Sequence, residues 1–367
     1  MALSKTMENT SENIFVDPES IRAFAIRAFM AVGVSKHDAE ITTNSMLQAA
    51  LRGEGDHGMR LVATWINKIK AGGTNAKTPI SIIKNHTSTA LIDANAGIGA
   101  VAATKAMEMA IEKATNSGAA FVGVRNSNSY ANAKYYPMIA LESNMIGFTF
   151  SNSIPLVPPY GGLTPKTGTN PVAFAVPAKN ELPVILDMST ATMAFERLRV
   201  YASLGKKVPP GAIISSTGQT IDDPTMLENQ GFLKGAVLQA AGGYKGFGLS
   251  LLFNLMTGVL FDGAFMDDLR EFTPANETEK VSFVLGAINI SHFMPYDRFV
   301  ERMDEFILSI KDSNLASGVD QIYLPGEKGS IRYMARLKEG IPLDPPTIET
   351  LSIMAKELGI EGIPGKI

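Results

Sequence analysis

Thr89-Ala-Leu-Ile-Asp93-Ala-Asn-Ala-Gly97-Ile-Gly99-Ala-Val-Ala102 leads from a short apolar strand through a glycine turn toward an Ala- and Met-rich helix, Val101 to Thr115. Gly97 to Ala102 fits G-x-G-x-x-A, the phosphate turn of a Rossmann unit. It lies where such a turn belongs, after a strand and at a helix start. The rest of the unit is missing. The next strand, Ala119 to Arg125, is followed by Asn126, and no acid near its end would hold a ribose. The glycines therefore read as a packing turn that brings the helix close to the sheet.

Upstream the chain is helical. Asp17-Pro18-Glu19 supplies a cap, a first-turn proline and an early acid for a helix over Asp17 to Val32. Ser35 caps a second, to Leu51, and Leu61 to Ile69 is a third. Downstream, strands and helices alternate: helix Tyr135 to Ser143, strands Met145 to Ser151, Val172 to Val176 and Val184 to Leu186, then helix Thr190 to Leu204. Pro209 to Gln230 reads as irregular. Phe247 to Phe261 is an apolar helix, Val281 to Ile290 a strand and Tyr296 to Ser313 an amphipathic helix. Helices near Ile331–Leu337 and Thr347–Leu358 close the chain. The alternation predicts an α/β core.

Composition narrows the chemistry. A net charge of −3 gives no basic surface for nucleic acid or an anionic membrane. There are no cysteines, so disulfides and thiolate chemistry are excluded. No transmembrane helix and no signal peptide is expected, and the composition is compatible with the cytoplasm. Imidazole proton transfer is restricted to His37, His57, His86 and His292.

Only His57 sits in a polar, glycine-flanked stretch: Arg52-Gly-Glu-Gly-Asp56-His57-Gly58-Met-Arg60. The residues read either as an acid–base site or as a solvated turn between helices. Asp187 ends an apolar strand; it would orient an imidazole or cap the following helix. Ala241-Gly-Gly-Tyr-Lys245-Gly-Phe-Gly248 is an anion cradle or a glycine turn carrying an exposed lysine. Pro158 to Gly162 and Gly168-Thr169-Asn170-Pro171 flank a long loop, the kind that often carries function. No metal site is expected at Asp187, which has no histidine or cysteine near it in sequence.

Taken in order, several of these segments resemble the malate/L-lactate dehydrogenase family. They are Arg52-Gly53 with His57-Gly58, Asp93 with Gly97-Ile-Gly99, Asn126-Ser-Asn128, Gly168 to Pro171, Leu186-Asp187-Met188, Lys245-Gly246 and Tyr323-Leu-Pro-Gly326-Glu327. That family includes sulfolactate, ureidoglycolate and diketogulonate dehydrogenases or reductases and Δ1-piperideine-2-carboxylate reductases. The resemblance runs from about Asp17 to Leu358. It implies a three-layer α/β fold with a non-Rossmann nicotinamide site for NAD or NADP, and a homodimer. His57 would be the acid–base residue, with Asp187 near it. Ser153, Asp187, Met188, Ser189, Lys245, Gly246, Gly326, Glu327 and Lys328 would contact the cofactor, and Arg302 matches a cofactor contact loosely. Arg52, Arg60, Ser129, Lys134, Thr169 and Asn170 are the candidate substrate contacts. The implied divisions are a loose tail over 1–16, a helical layer carrying His57 over 17–85 and a substrate and dimerisation region over 86–180. A cofactor region over 181–320 follows, and C-terminal helices over 321–367 pack back on the helical layer.

Three features depart from the family pattern. Asp56 precedes His57 where a serine is common. The arginine that follows the histidine, Arg60, is one residue early. Ser129 replaces a histidine after Asn-Ser-Asn, and Lys134 replaces a glycine. The expected reaction is hydride transfer between NAD(P) and a small 2-hydroxy/2-oxo acid. The alternatives are reduction of a cyclic 2-imino acid, or a binding protein that has lost catalysis.

Overall fold

In a computed structural model of the chain, residues 13–363 are described, apart from 196, 199–200, 202–205, 216, 223–235 and 271–273. The N-terminal layer consists of α1 (Pro18–Ala31), α2 (Lys36–Leu51) and α3 (Leu61–Lys70). The caps lie where the sequence puts them. Asp17 Oδ2 accepts the Ser20 N–H at 2.8 Å and Ser35 Oγ that of Asp38 at 3.1 Å. Ile14–Val16, expected to end a loose tail, instead form a strand, β1, paired antiparallel with Ile341–Leu343 from the other end of the chain. A three-residue strand has no periodicity of its own. Its partner, more than three hundred residues away, is what orders it.

The main sheet has seven strands. In chain order they are β2 (Ser81–Asn85), β3 (Thr89–Asp93), β4 (Ala119–Ser127), β5 (Met145–Ser151), β6 (Val172–Val176), β7 (Val184–Met188) and a late strand, Val281–Asn289. The spatial order is β2, β3, β4, Val281–Asn289, β5, β6, β7, and β3–β4 is the one parallel pair. The late strand is buried over its first seven residues, as a continuous apolar run requires at the centre of a sheet covered on both faces. α4 (Gly99–Ser117) and α5 (Tyr135–Leu141) cover one face. Phe24, Phe29, Met46 and Ile66 from the N-terminal helices form one buried cluster with Met107 of α4 and Phe283 of the late strand. Helix Tyr244–Asn254, with the π-helical turn Leu255–Val259 that continues it, covers the other. There Phe253 stacks on Phe150, ring centroids 4.8 Å apart. These are the three layers, a mixed α/β sheet between helices. Helices Glu327–Glu339 and Pro345–Leu358 return to the N-terminal layer, against α2 and against α1 and α3.

Two further expectations change. The segment read as irregular after Pro209 contains strands Ile213–Ser215 and Thr220–Ile221, which form a small sheet with Ala236–Leu238. The helix expected over 190–204 lies partly outside the described residues; Ala191 bridges Ala240 in extended conformation. Among the described residues, no helix is long and apolar enough to cross a membrane.

The glycine turn is filled by protein. Ile98 N–H donates to Thr78 Oγ1 at 3.0 Å and Gly97 N–H to Ala94 O at 2.8 Å. A Cβ on Gly99 would lie 2.2 Å from the carbonyl oxygens of both Asn128 and Ser129. The start of α4 is pressed against the backbone that follows β4, in the space a Rossmann pyrophosphate would need.

Candidate active site

Three segments meet around His57. The first is the turn between α2 and α3, a single 3-10 turn over Gly55–His57. His57 Nδ1 lies 3.3 Å from Asp56 Oδ1. Burial pushes the Asp56 carboxyl up, but the hydrogen bond and charge of His57, with the charge of Arg197, outweigh it and hold Asp56 at about 2. The second segment is the end of β7. Asp187 is in the strand, in register with Ala173, so the helix-cap alternative does not hold. Burial raises the Asp187 carboxyl, against the opposing charges of Lys134 and His57. The third is the start of α5. The Lys134 backbone N–H donates to Asp187 Oδ2 at 3.2 Å, and its ammonium pairs with Glu54. Burial brings the Lys134 amine down to about 8; Asp187 opposes the shift and Arg52 adds to it.

The other expected substrate contacts, Arg60 apart, are engaged elsewhere. Arg52 is buried, its Nη1 3.0 Å from Ser330 Oγ and its guanidinium 5.3 Å from the Tyr333 ring centroid. Arg60 is exposed at the start of α3. Ser129 donates its N–H to Glu279 at 3.2 Å, and its hydroxyl accepts the Ala131 N–H within its own turn. Glu279, beside Lys68 at 3.5 Å, is pushed up by burial to about 7. Thr169 and Asn170 form a bracket. Asn170 Oδ1 accepts the Ser153 N–H at 2.9 Å and its amide nitrogen donates to Ser250. The Thr169 carbonyl accepts from the Ser189 hydroxyl at 3.0 Å and from Thr190.

That bracket joins the end of β7 to the glycine turn before helix Tyr244–Asn254. Ala241 N–H donates to Thr190 O at 2.9 Å. A Cβ on Gly246 would meet Ala241 O at 2.2 Å and Thr190 O at 2.8 Å, so the helix start needs glycine to approach the strand. Gly242 and Gly243 both have φ +64, Met188 is exposed, and Lys245 is exposed with no ion pair among the described residues. Exposed backbone at a helix N-terminus, a glycine turn and an ammonium fit the pyrophosphate of a dinucleotide. Gly326, φ +85, starts helix Glu327–Glu339 against β7, where a Cβ would lie 2.6 Å from Ile185 Cβ. Glu327 is tied to Lys311 at 3.1 Å, and Lys328 lies over the Tyr323 ring at 4.4 Å. Arg302 is exposed on helix Tyr296–Lys311, with no hydrogen bond or ion pair to this cluster among the described residues.

A family model described as malate/L-lactate dehydrogenase matches residues 16–352. The chain belongs to this family. It is 36% identical over 350 residues to the malate dehydrogenase of Pyrococcus abyssi, covering 95% of this chain and 96% of that one. It is 35% identical to the malate/(S)-sulfolactate dehydrogenase of Methanothermus fervidus, covering 95% and 99%. The solved malate dehydrogenase of Pyrococcus horikoshii superposes with a TM-score of 0.87 at 32% identity, covering 97% and 99%. The chain is accordingly an oxidoreductase of the hydroxy-acid dehydrogenase kind.

Glu54 and Glu279 were not singled out in the sequence. Glu54 stands inside the His57 stretch, but nothing there indicates that its partner comes from α5.

Proposed function

We propose that the protein transfers a hydride between NAD or NADP and a small 2-hydroxy/2-oxo acid of the malate, lactate or sulfolactate kind. The observation that carries this reading is the convergence of His57, Asp187 and Lys134, from separate segments, on one cluster. A nicotinamide cofactor held here would supply the hydride acceptor or donor. His57 moves the proton. With Nδ1–H donated to Asp56, Nε2 is the nitrogen that takes the hydroxyl proton as the hydride leaves C2, and returns it in reduction. Asp56 and Asp187 stabilise the imidazolium while it exists. Met188 and Ser189, at the end of β7, and Lys245, at the start of helix Tyr244–Asn254, would hold the dinucleotide. Oxidation of NADH and NADPH with a panel of 2-oxo acids and cyclic imines tests the assignment. Turnover with a 2-oxo acid is expected; turnover with cyclic imines alone would move the substrate to 2-imino acids, and none at all would refute the reading.

A homodimer is also part of this proposal. Phe121, Leu249, Leu252, Leu255, Val259 and Leu260 are between 43% and 67% exposed, and all except Phe121 follow one another along the helix that begins at Tyr244 and its π-helical end. A run of exposed leucines along a helix whose Phe253 already packs on the sheet calls for cover on the solvent side as well. Light scattering is expected to give twice the chain mass of 39.3 kDa; a monomer at micromolar concentration would refute the assembly.

A further inference from the structure

The charged groups around His57 are unevenly committed. Arg52 is seated between α2 and helix Glu327–Glu339 through Ser330 and Tyr333. Arg60 and Arg197 are exposed. Lys134 alone among these cations is held against Asp187 by its own backbone while its side chain is only 9% exposed. Its ionic partner is different in kind: the Glu54 side chain is 31% exposed and belongs to the turn that carries His57. A buried ammonium needs an anion, because leaving it alone is costly. A carboxylate at the solvent edge is the partner that costs least to release, since water takes over its solvation. Glu54 also has a glycine on each side. The Glu54 backbone is fixed, its N–H donating to Ala49 O at 2.9 Å and its carbonyl accepting the His57 N–H at 3.0 Å, while a Cβ on neighbouring Gly55 would meet nothing within 4 Å, so there is open space beside the Glu54 side chain.

We propose that Glu54 is only the resting partner of Lys134, and that the carboxylate of the incoming 2-oxo or 2-hydroxy acid displaces it. This rests on the substrate reading above. The exchange swaps one carboxylate for another, so the buried ammonium is never left without a counter-charge. It places an acid group beside the reacting carbon, next to His57, and makes Lys134 the residue that demands an acid.

Glu54 faces Lys134 from the turn, Arg52 from α2 and Asp187 from β7, and Asp56 and His57 of the same turn act on Asp187. Burial lowers the amine to about 8. The protonated form binds the acid; as pH rises through that value the charge is lost and affinity falls.

The test is calorimetric binding of oxamate, an unreactive carboxylate with the shape of a 2-oxo acid, to the full chain saturated with NADH or NADPH. Lys134→Met is expected to weaken binding by about 10–100-fold, the scale of one charge-assisted pair. Lys134→Arg, which keeps the charge, is expected to recover part of the loss. Glu54→Gln is expected to leave affinity unchanged or to tighten it. Wild-type affinity is expected to fall from pH 7 to pH 9, and that fall to vanish in Lys134→Met. Unchanged binding in Lys134→Met overturns the exchange. So does a loss in Glu54→Gln equal to that in Lys134→Met, because the pair would then be a fixed clamp. Failure of the wild type to bind oxamate overturns it too. Oxamate binding without turnover of any 2-oxo acid would leave the exchange standing and refute the hydride-transfer reading instead.

Discussion

Replacing His57 with alanine is expected to lower kcat by about 10²–10⁴-fold, or about 3–5 kcal/mol of transition-state stabilisation. The argument is one of elimination joined to geometry. Of the four histidines, His37 is exposed at the start of α2, His86 follows the exposed strand β2, and His292 rests 3.3 Å from the Thr115 carbonyl. His57 alone lies against Asp56 and within reach of the charge of Asp187. KM is expected to change less than kcat, because the acid group is held by Lys134. The ring is half exposed in a short turn, so thermal unfolding is expected to shift little. Added imidazole should restore part of the lost rate, since the space vacated borders the reacting oxygen. Turnover within about threefold of wild type, in a variant that unfolds normally, would move the proton transfer to another group.

Gly99→Ala and Lys245→Ala are expected to fail in opposite ways. The Cβ added at Gly99 would lie 2.2 Å from two backbone oxygens, neither of which yields as a flexible side chain would. Positive φ is not the cause, since Gly99 lies outside the left-handed region; the cause is close approach of α4 to the backbone after β4. The expected cost is about 3 kcal/mol, the upper end of ordinary overpacking, and a fall of several degrees in Tm. Affinity of the folded fraction for NAD(P)H should hardly change. Lys245 is exposed and its ammonium lies only over the exposed Tyr244 ring, 6.0 Å from the centroid, so its loss should leave Tm nearly unchanged. It should weaken NAD(P)H binding about 5–30-fold, and wild-type binding should weaken with salt. Loss of cofactor affinity in Gly99→Ala, with none in Lys245→Ala, would return the dinucleotide to the Gly97 turn.

Much of this was local and therefore legible. Asp17 and Ser35 cap helices through side chains that reach only three residues on. The apolar spacing of α1 is a property of a few turns, and the apolar run from Val281 announces a strand by composition alone. The segments that mark the family also keep their order along the chain. The neighbours of an element are another matter, because they depend on which faces the whole chain leaves to be covered. Val281–Asn289 enters between β4 and β5, strands that precede it by more than a hundred residues, and no pattern within it specifies that pairing. β1 exists only because the far end of the chain supplies Ile341–Leu343. Glycine at 97 and 99 supports a phosphate turn or a packing turn equally well. The choice falls to the packing, because the carbonyls of Asn128 and Ser129 fill the space in front of Gly99. Lys134 stands out in the sequence only as a lysine where the family has a glycine; its partners come from the fold, which sets its ammonium against Glu54 and its N–H against Asp187, joining the turn of His57 to the end of β7.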